Sequence, residues 1–268
     1  TNGSMLATNE EYDPLTNAWT ARTAMPTARD FPASGTIGGK LYVVGGLNVA
    51  YQTKNEEYDP GTNSWTTKAA MPTARNALIA GVIGGKLYAI GGIATGPNLS
   101  TNEEYDPAAD TWTAKTAMPT ARYSLAGGVM GGKFYAVGGT NGAYLTTNEE
   151  YDPLENAWTA KTAMPTARDY QASAAIIGKL YIVGGYNGAY LTTNEEYDSG
   201  AAQAFSGLTP NTQYSFKAKA RNLLGIETGE TTVFSTYTQA VVPAISTSTF
   251  AGVFATSVAV QWLLNGNP

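Results

Sequence analysis

The chain has 268 residues, of which 43% are hydrophobic and 14% charged, with a formal net charge of −5. That length holds one large β domain or two ordinary ones, and that apolar content supports a packed core rather than disorder. The acidic balance without a basic run speaks against nucleic acid. The absence of Cys excludes disulfides and thiolate chemistry, and the absence of His removes the commonest general base and metal ligand.

The opening stretch TNGSMLATNEEYDP returns at 140–153 as TNGAYLTTNEEYDP. NEEYD (9–13) is polar and alternating, and WTAR closes the segment 8–22, which predicts two strands. MPTAR follows at 25–29. DFPASGTIG (30–38) predicts a strand of small residues, and KLYVVGG (40–46) a buried strand ended by glycines. TKNEEYDP (53–60) is an alternating strand stopped by Pro60, and SWTTK (64–68) completes the unit. The same order returns over 76–115 and 123–161, and its first three strands return over 169–198. Every motif steps by 46 or 47 residues, the extra one lying in IATGPNLST (93–101). Short strands with frequent turn signals predict an all-β chain, and four strands per repeat of this length predict the blades of a β-propeller.

The motif inside each repeat is a double glycine, a Tyr, and a Trp six residues beyond it. It reads Gly45, Gly46, Tyr58, Trp65; Gly91, Gly92, Tyr105, Trp112; and Gly138, Gly139, Tyr151, Trp158; then Gly184, Gly185 and Tyr197 without a Trp. On these residues, segment 1–198 resembles the kelch family. The resemblance implies antiparallel four-stranded blades with strands A to D running outward from the propeller axis. Glycines permit close backbone approach, and the aromatic pair brings apolar area to the seam between blades. On this reading there are three full blades (30–68, 76–115, 123–161) and two partial ones (8–22 and 169–198). The strands do not sum to a closed ring, so the segment is expected to be part of a larger propeller, with closure by a neighbouring copy as the alternative.

Beyond residue 198 the period stops. AFSGLTPNTQYSFKAKARN (204–222) resembles part of a fibronectin type III domain, with Leu208, Pro210 and Tyr214 before a strictly alternating strand. Residues 203–239 then read as the end of one such β-sandwich module and 243–268 as the start of another, or the two parts pair as a permuted sandwich. The stretch AGVFATSVAVQWLL (251–264) is broken by polar residues, so no membrane span is expected, and no signal peptide is visible.

Twelve of the sixteen basic residues and fifteen of the twenty-one acidic ones recur with the repeat. A reaction centre needs one base rather than one per blade, so these charges are expected to be structural. Glu56 and Glu57 are neighbours on a strand and point to opposite faces, so they make no catalytic dyad. Pairing is expected between Glu10, Glu56, Glu103, Glu149 and Arg29, Arg75, Arg122, Arg168, with Glu57 solvated. No Asp-box of the sialidases is present. The copper-radical chemistry of the galactose oxidase family, which also has a kelch propeller, needs His and Cys that this segment lacks. No catalytic residue, cofactor or metal site is expected.

The repeats differ in the B–C loops (LNVAYQT, IATGPNLS, TNGAYLT, YNGAYLT) and just after PTAR (DFP, NAL, YSL, DYQ). In kelch propellers both sets lie on one face, the usual ligand surface, so Tyr51, Tyr144, Tyr190, Tyr123 and Tyr170 are the candidate binding residues. The resulting reading is a non-catalytic recognition or scaffolding module that binds protein or glycan. It would belong to a secreted or cell-surface, bacterial multidomain protein. Two alternatives stay open: the propeller part of an enzyme whose catalytic residues lie elsewhere, and a structural subunit of a surface layer or filament.

Overall fold

A computed structural model describes residues 5–176 and 178–199, together with the backbone of five short strands between 213 and 264. The chain forms two compact units, Thr1–Ala204 and Phe205–Pro268.

In the first unit, β1 (Asn9–Asp13) and β2 (Ala18–Arg22) pair only with each other. Next come β3 (Ala33–Ile37), β4 (Lys40–Val44), β5 (Asn55–Asp59) and β6 (Ser64–Thr67). The second blade is β7 (Ile79–Ile83), β8 (Lys86–Ile90), β9 (Asn102–Asp106) and β10 (Thr111–Ala114). The third is β11 (Ala126–Met130), β12 (Lys133–Val137), β13 (Asn148–Asp152) and β14 (Ala157–Lys161), and the fourth β15 (Ala172–Ile176), β16 (Lys179–Val183) and β17 (Asn194–Asp198). Each blade is an antiparallel meander in chain order, so the first unit is an all-β, four-bladed propeller.

Turn chemistry sets these registers. Ile37 pairs with Lys40 across Gly38 and Gly39, both in the left-handed region at φ 57° and 77°. A two-residue hairpin of this twist needs positive φ at both positions, which glycine adopts without steric cost. The C–D turn uses Asn63, Asp110 and Asn156 at φ near 50°, and their side chains accept from the Tyr58, Tyr105 and Tyr151 hydroxyls at 2.9, 2.7 and 2.8 Å. Asn and Asp tolerate this conformation better than other side chains.

The core lies in the seams. Alternate residues of a B strand face opposite seams: Leu87 and Ala89 pack with Tyr42, Val44 and Tyr105, while Tyr88 and Ile90 pack with Phe134, Ala136 and Tyr151. A strand buried on both faces reads as a continuous apolar run, hence KLYVV and KLYAI. Gly46 donates its N–H to the Arg75 carbonyl at 2.9 Å, and a Cβ on Gly45 would sit 2.6 Å from that oxygen. Tyr105 packs on Trp112 at 5.1 Å and on Tyr42 of the preceding blade at 5.8 Å. The Trp65, Trp112 and Trp158 indole N–H groups each donate at 2.8 Å to a preceding backbone carbonyl, of Thr23, Ala69 and Thr116. Trp19 stacks on Tyr12 in the same way but is 70% exposed.

The second unit is described through its backbone strands. β18 (Gln213–Phe216) pairs with β20 (Phe234–Tyr237) and with β22 (Leu263–Leu264), and β19 (Ala218–Arg221) pairs with β21 (Ser257–Val260). Strands from the two expected portions, 203–239 and 243–268, therefore pair with each other. The side chains on which the type III reading rests lie outside the described residues.

Candidate functional site: the loop face

In the four blades, both glutamates of each strand C are held by cations. Arg29, Arg75 and Arg122 have fully buried side chains and donate to Glu56, Glu103 and Glu149 at 2.6, 2.6 and 2.5 Å. Each also donates to a B-strand carbonyl, of Val43, Ala89 or Ala136. The partner of Arg168 is Glu195 at 2.6 Å. Glu10, expected to share this role, is exposed and forms no ion pair among the described residues, because Arg29 reaches forward to Glu56 in the next sheet and Arg22 pairs with Glu11.

Glu57 corrects the sequence reading more sharply. It is buried rather than solvated, accepting from the Tyr42 hydroxyl at 2.5 Å and pairing with Lys40 at 3.0 Å and Lys68 at 3.2 Å. The face opposite Glu56 is the seam with the second blade, where Tyr42, the hydroxyl donor to Glu57, packs on Tyr105. Burial by itself would raise Glu57, Glu104 and Glu150, yet the Tyr hydroxyl and two ammonium groups outweigh it and hold all three below the ordinary value. Burial and the adjacent carboxylate push the Tyr42, Tyr88 and Tyr135 hydroxyls well up.

The variable loops gather at one end. Backbone bridges tie Asp30 to Leu47 and Leu47 to Tyr51, with equivalent bridges at Asn76–Ile93–Asn98, Tyr123–Thr140–Tyr144 and Asp169–Tyr186–Tyr190. At the centre of this end, Phe31, Ala77, Ser124 and Tyr170 all have φ between 47° and 51°. Tyr170 N–H donates to Ser124, Ser124 to Ala77, and Ala77 to Phe31, each at 2.9 to 3.0 Å. The run ends where the Phe31 and Tyr170 rings meet, 6.1 Å apart. Together with Leu78, Leu125 and Gln171 these residues line a mouth of about 240 Å³. Ser124 Oγ and Gln171 Oε1 are buried there without a hydrogen-bond partner, while Phe31 and Tyr170 stand 47% and 57% exposed at its edge.

The five candidate tyrosines separate into three places. Tyr170 belongs to the mouth. Tyr144 and Tyr190 are brought together by Tyr186, whose ring lies 5.8 Å from the first and 5.4 Å from the second. Tyr123 is half-buried beside them through the Thr140 bridge. Tyr51 stands apart, lining a shallow groove with Leu47, Ala74 and Thr95. Sequence reasoning passed over Phe31 and Tyr186, although both stand in variable stretches. A search for aromatic residues at any variable position, rather than for tyrosines in matched positions, would have found them. Among the described residues no three potential metal ligands converge.

The repeat, its glycine hinge and its Tyr–Trp seam have a counterpart among known families: the KLHDC2/KLHL20/DRC7 Kelch-repeats domain matches residues 7–185. The chain belongs to the Kelch-repeat family. Among solved structures, YjhT superposes on this Kelch propeller with a TM-score of 0.59 at 19% identity, over 68% of this chain and 72% of YjhT. At that identity the likeness concerns the fold alone. No curated protein matches the chain. Kelch propellers are typically protein-interaction modules.

Proposed function

We propose that this Kelch propeller is a non-catalytic recognition module that receives a partner protein on its loop face, centred on the mouth between Phe31 and Tyr170. The observation that carries the reading is the mouth itself. Two exposed aromatic rings stand over a recess holding two buried polar atoms without partners. Aromatic rings supply contact area at low entropic cost, and a few polar groups in an apolar recess fix orientation. Loops on a rigid scaffold are the usual place for such contacts. Engagement of the strand-C glutamates of the four blades by Arg and Lys, in a chain without His or Cys, favours binding over a reaction. Glycan is a second reading, favoured by Tyr190, which is 91% exposed next to the Tyr186 ring. A secreted or cell-surface setting suits a display module of this kind.

The test compares the wild-type chain with a Phe31→Ser/Tyr170→Ser double variant on peptide and glycan arrays. Loss of the wild-type signals at an unchanged unfolding midpoint supports the reading. Signals that survive unchanged remove the mouth, and turnover of any array compound by the wild-type chain removes the non-catalytic assignment.

A further inference from the structure

The B–C loop of the fourth blade carries a set of residues that the repeat does not require. Asp169 and Tyr186 exchange both backbone hydrogen bonds, at 3.0 and 2.9 Å. Residues paired in this way send their side chains to the same side of the ladder. Tyr186 bridges in turn to Tyr190. The Tyr144 ring of the third blade meets Tyr186 edge-on at 79°, and Tyr190 meets it at 60°, so three rings stand at steep angles in succession. Beside them Asp169 is only 4% exposed, its Oδ1 has no hydrogen-bond partner, and no cation pairs with it among the described residues. Burial pushes its carboxyl above the ordinary value.

The other blades lack the combination. Where the fourth has Asp169, Tyr186 and Tyr190, the first has Asp30, Leu47 and Tyr51, the second Asn76, Ile93 and Asn98, and the third Tyr123, Thr140 and Tyr144. The bridges form with Leu, Ile or Thr at the centre, so the fold does not demand the tyrosine. A buried carboxylate without a counter-charge is costly. A cation over the face of an aromatic ring is attracted by the ring quadrupole, and a net charge of −5 favours its approach.

We propose that Tyr144, Tyr186 and Tyr190, with the carboxylate of Asp169, hold one organic cation: the Lys or Arg side chain of a partner polypeptide. The inference rests on the loop face being a recognition surface and names one chemical feature of what it recognises.

The experiment titrates the full chain with N-acetyl-arginine amide, N-acetyl-lysine amide, tetramethylammonium and the uncharged isostere neopentyl alcohol, following ring-labelled tyrosines by NMR. Either amino-acid amide shifts the Tyr144, Tyr186 and Tyr190 signals, and neopentyl alcohol binds at least about tenfold more weakly. Asp169→Asn and Tyr190→Ala each weaken the amide by about fivefold or more. Both variants should fold, since Asn76 already occupies the Asp169 position in the second blade and Tyr190 is at the surface. An equal response to neopentyl alcohol, or full affinity in Asp169→Asn, overturns the proposal. Binding of tetramethylammonium alone overturns the polypeptide side chain as ligand. The Phe31→Ser/Tyr170→Ser variant separates the two readings: it retains amide binding if the cation site stands while the mouth fails. Loss of array binding in that variant, with no amide binding in the wild type, leaves the mouth and removes the cation site.

Discussion

Arg75 and Glu103 form a buried ion pair at 2.6 Å in which each partner is held by a further backbone or hydroxyl group: Arg75 by the Ala89 carbonyl, Glu103 by the Thr73 hydroxyl. Removing one member leaves the other buried and uncompensated. Arg75→Ala is therefore expected to cost about 3–5 kcal/mol, as is Glu103→Ala, whereas losing the half-exposed Lys40–Asp59 pair costs under about 1. Replacing both members together with Met and Leu is expected to recover most of the loss. Urea unfolding of the two single variants, the double variant and Asp59→Ala checks the ranking.

Gly91 and Gly84 are both left-handed, at φ 65° and 58°, but their surroundings differ. A Cβ on Gly91 would stand 2.8 Å from the Arg122 carbonyl, whereas one on Gly84 meets nothing within 4 Å. Gly84→Ala should cost only the conformational penalty, about 1–2 kcal/mol. Gly91→Ala adds displacement of a neighbouring blade's backbone and should exceed it by about 1–3 kcal/mol. Thermal unfolding of the pair decides, and equal losses would mean that the seam yields.

Trp112 and Trp19 have the same stacking on their Tyr neighbours, yet only Trp112 also donates across a seam. Trp112 is partly buried, so Trp112→Ala is expected to cost about 2 kcal/mol, below the roughly 3–5 of a fully buried aromatic. Trp19→Ala should stay within about 0.5, as for other surface changes. The comparison is read from the shift in urea midpoint at constant slope.

Glu57, Glu104 and Glu150 sit below the ordinary glutamate value of 4.5 in the folded chain. A depressed carboxylate contributes stability that is present above its unfolded value and lost as pH falls through the folded one. Stability is thus expected to decline as pH drops below about 4.5. Tyr135→Phe removes one donor to Glu150, so its acid-unfolding midpoint should move to higher pH. A titration followed by circular dichroism tests the direction of that shift.

The blades were legible because sequence period, turn glycines and alternation all report the same local geometry. KLYVV announces a buried strand, and Gly45–Gly46 announces its end. What alternation cannot convey is what lies beyond a strand's second face. Glu57 reads as solvated on a strand taken alone and is buried because another blade packs there. Glu10 fails for a related reason: the repeat places it in phase with Glu56, but ion pairing follows Arg forward along the chain. Within the loop face, matched positions selected Tyr144, Tyr190 and Tyr51, of which Tyr144 and Tyr190 share the Tyr186 ring while Tyr51 lines a separate groove. Phe31 meets Tyr170 across 139 residues of chain, a proximity created only by the arrangement of blades about the axis.

The run of backbone bonds through Phe31, Ala77, Ser124 and Tyr170 makes the mouth a four-letter word, one letter per blade. Each letter occupies the same left-handed backbone site, and its linkage uses only main-chain N–H and C=O groups. All four side chains line the recess, so spelling and grammar are separate. A change of letter rewrites the mouth without altering the bonds that hold the blades in order. Duplicating or exchanging a whole blade would shuffle letters while leaving every seam in its own idiom of Arg, Glu and double glycine.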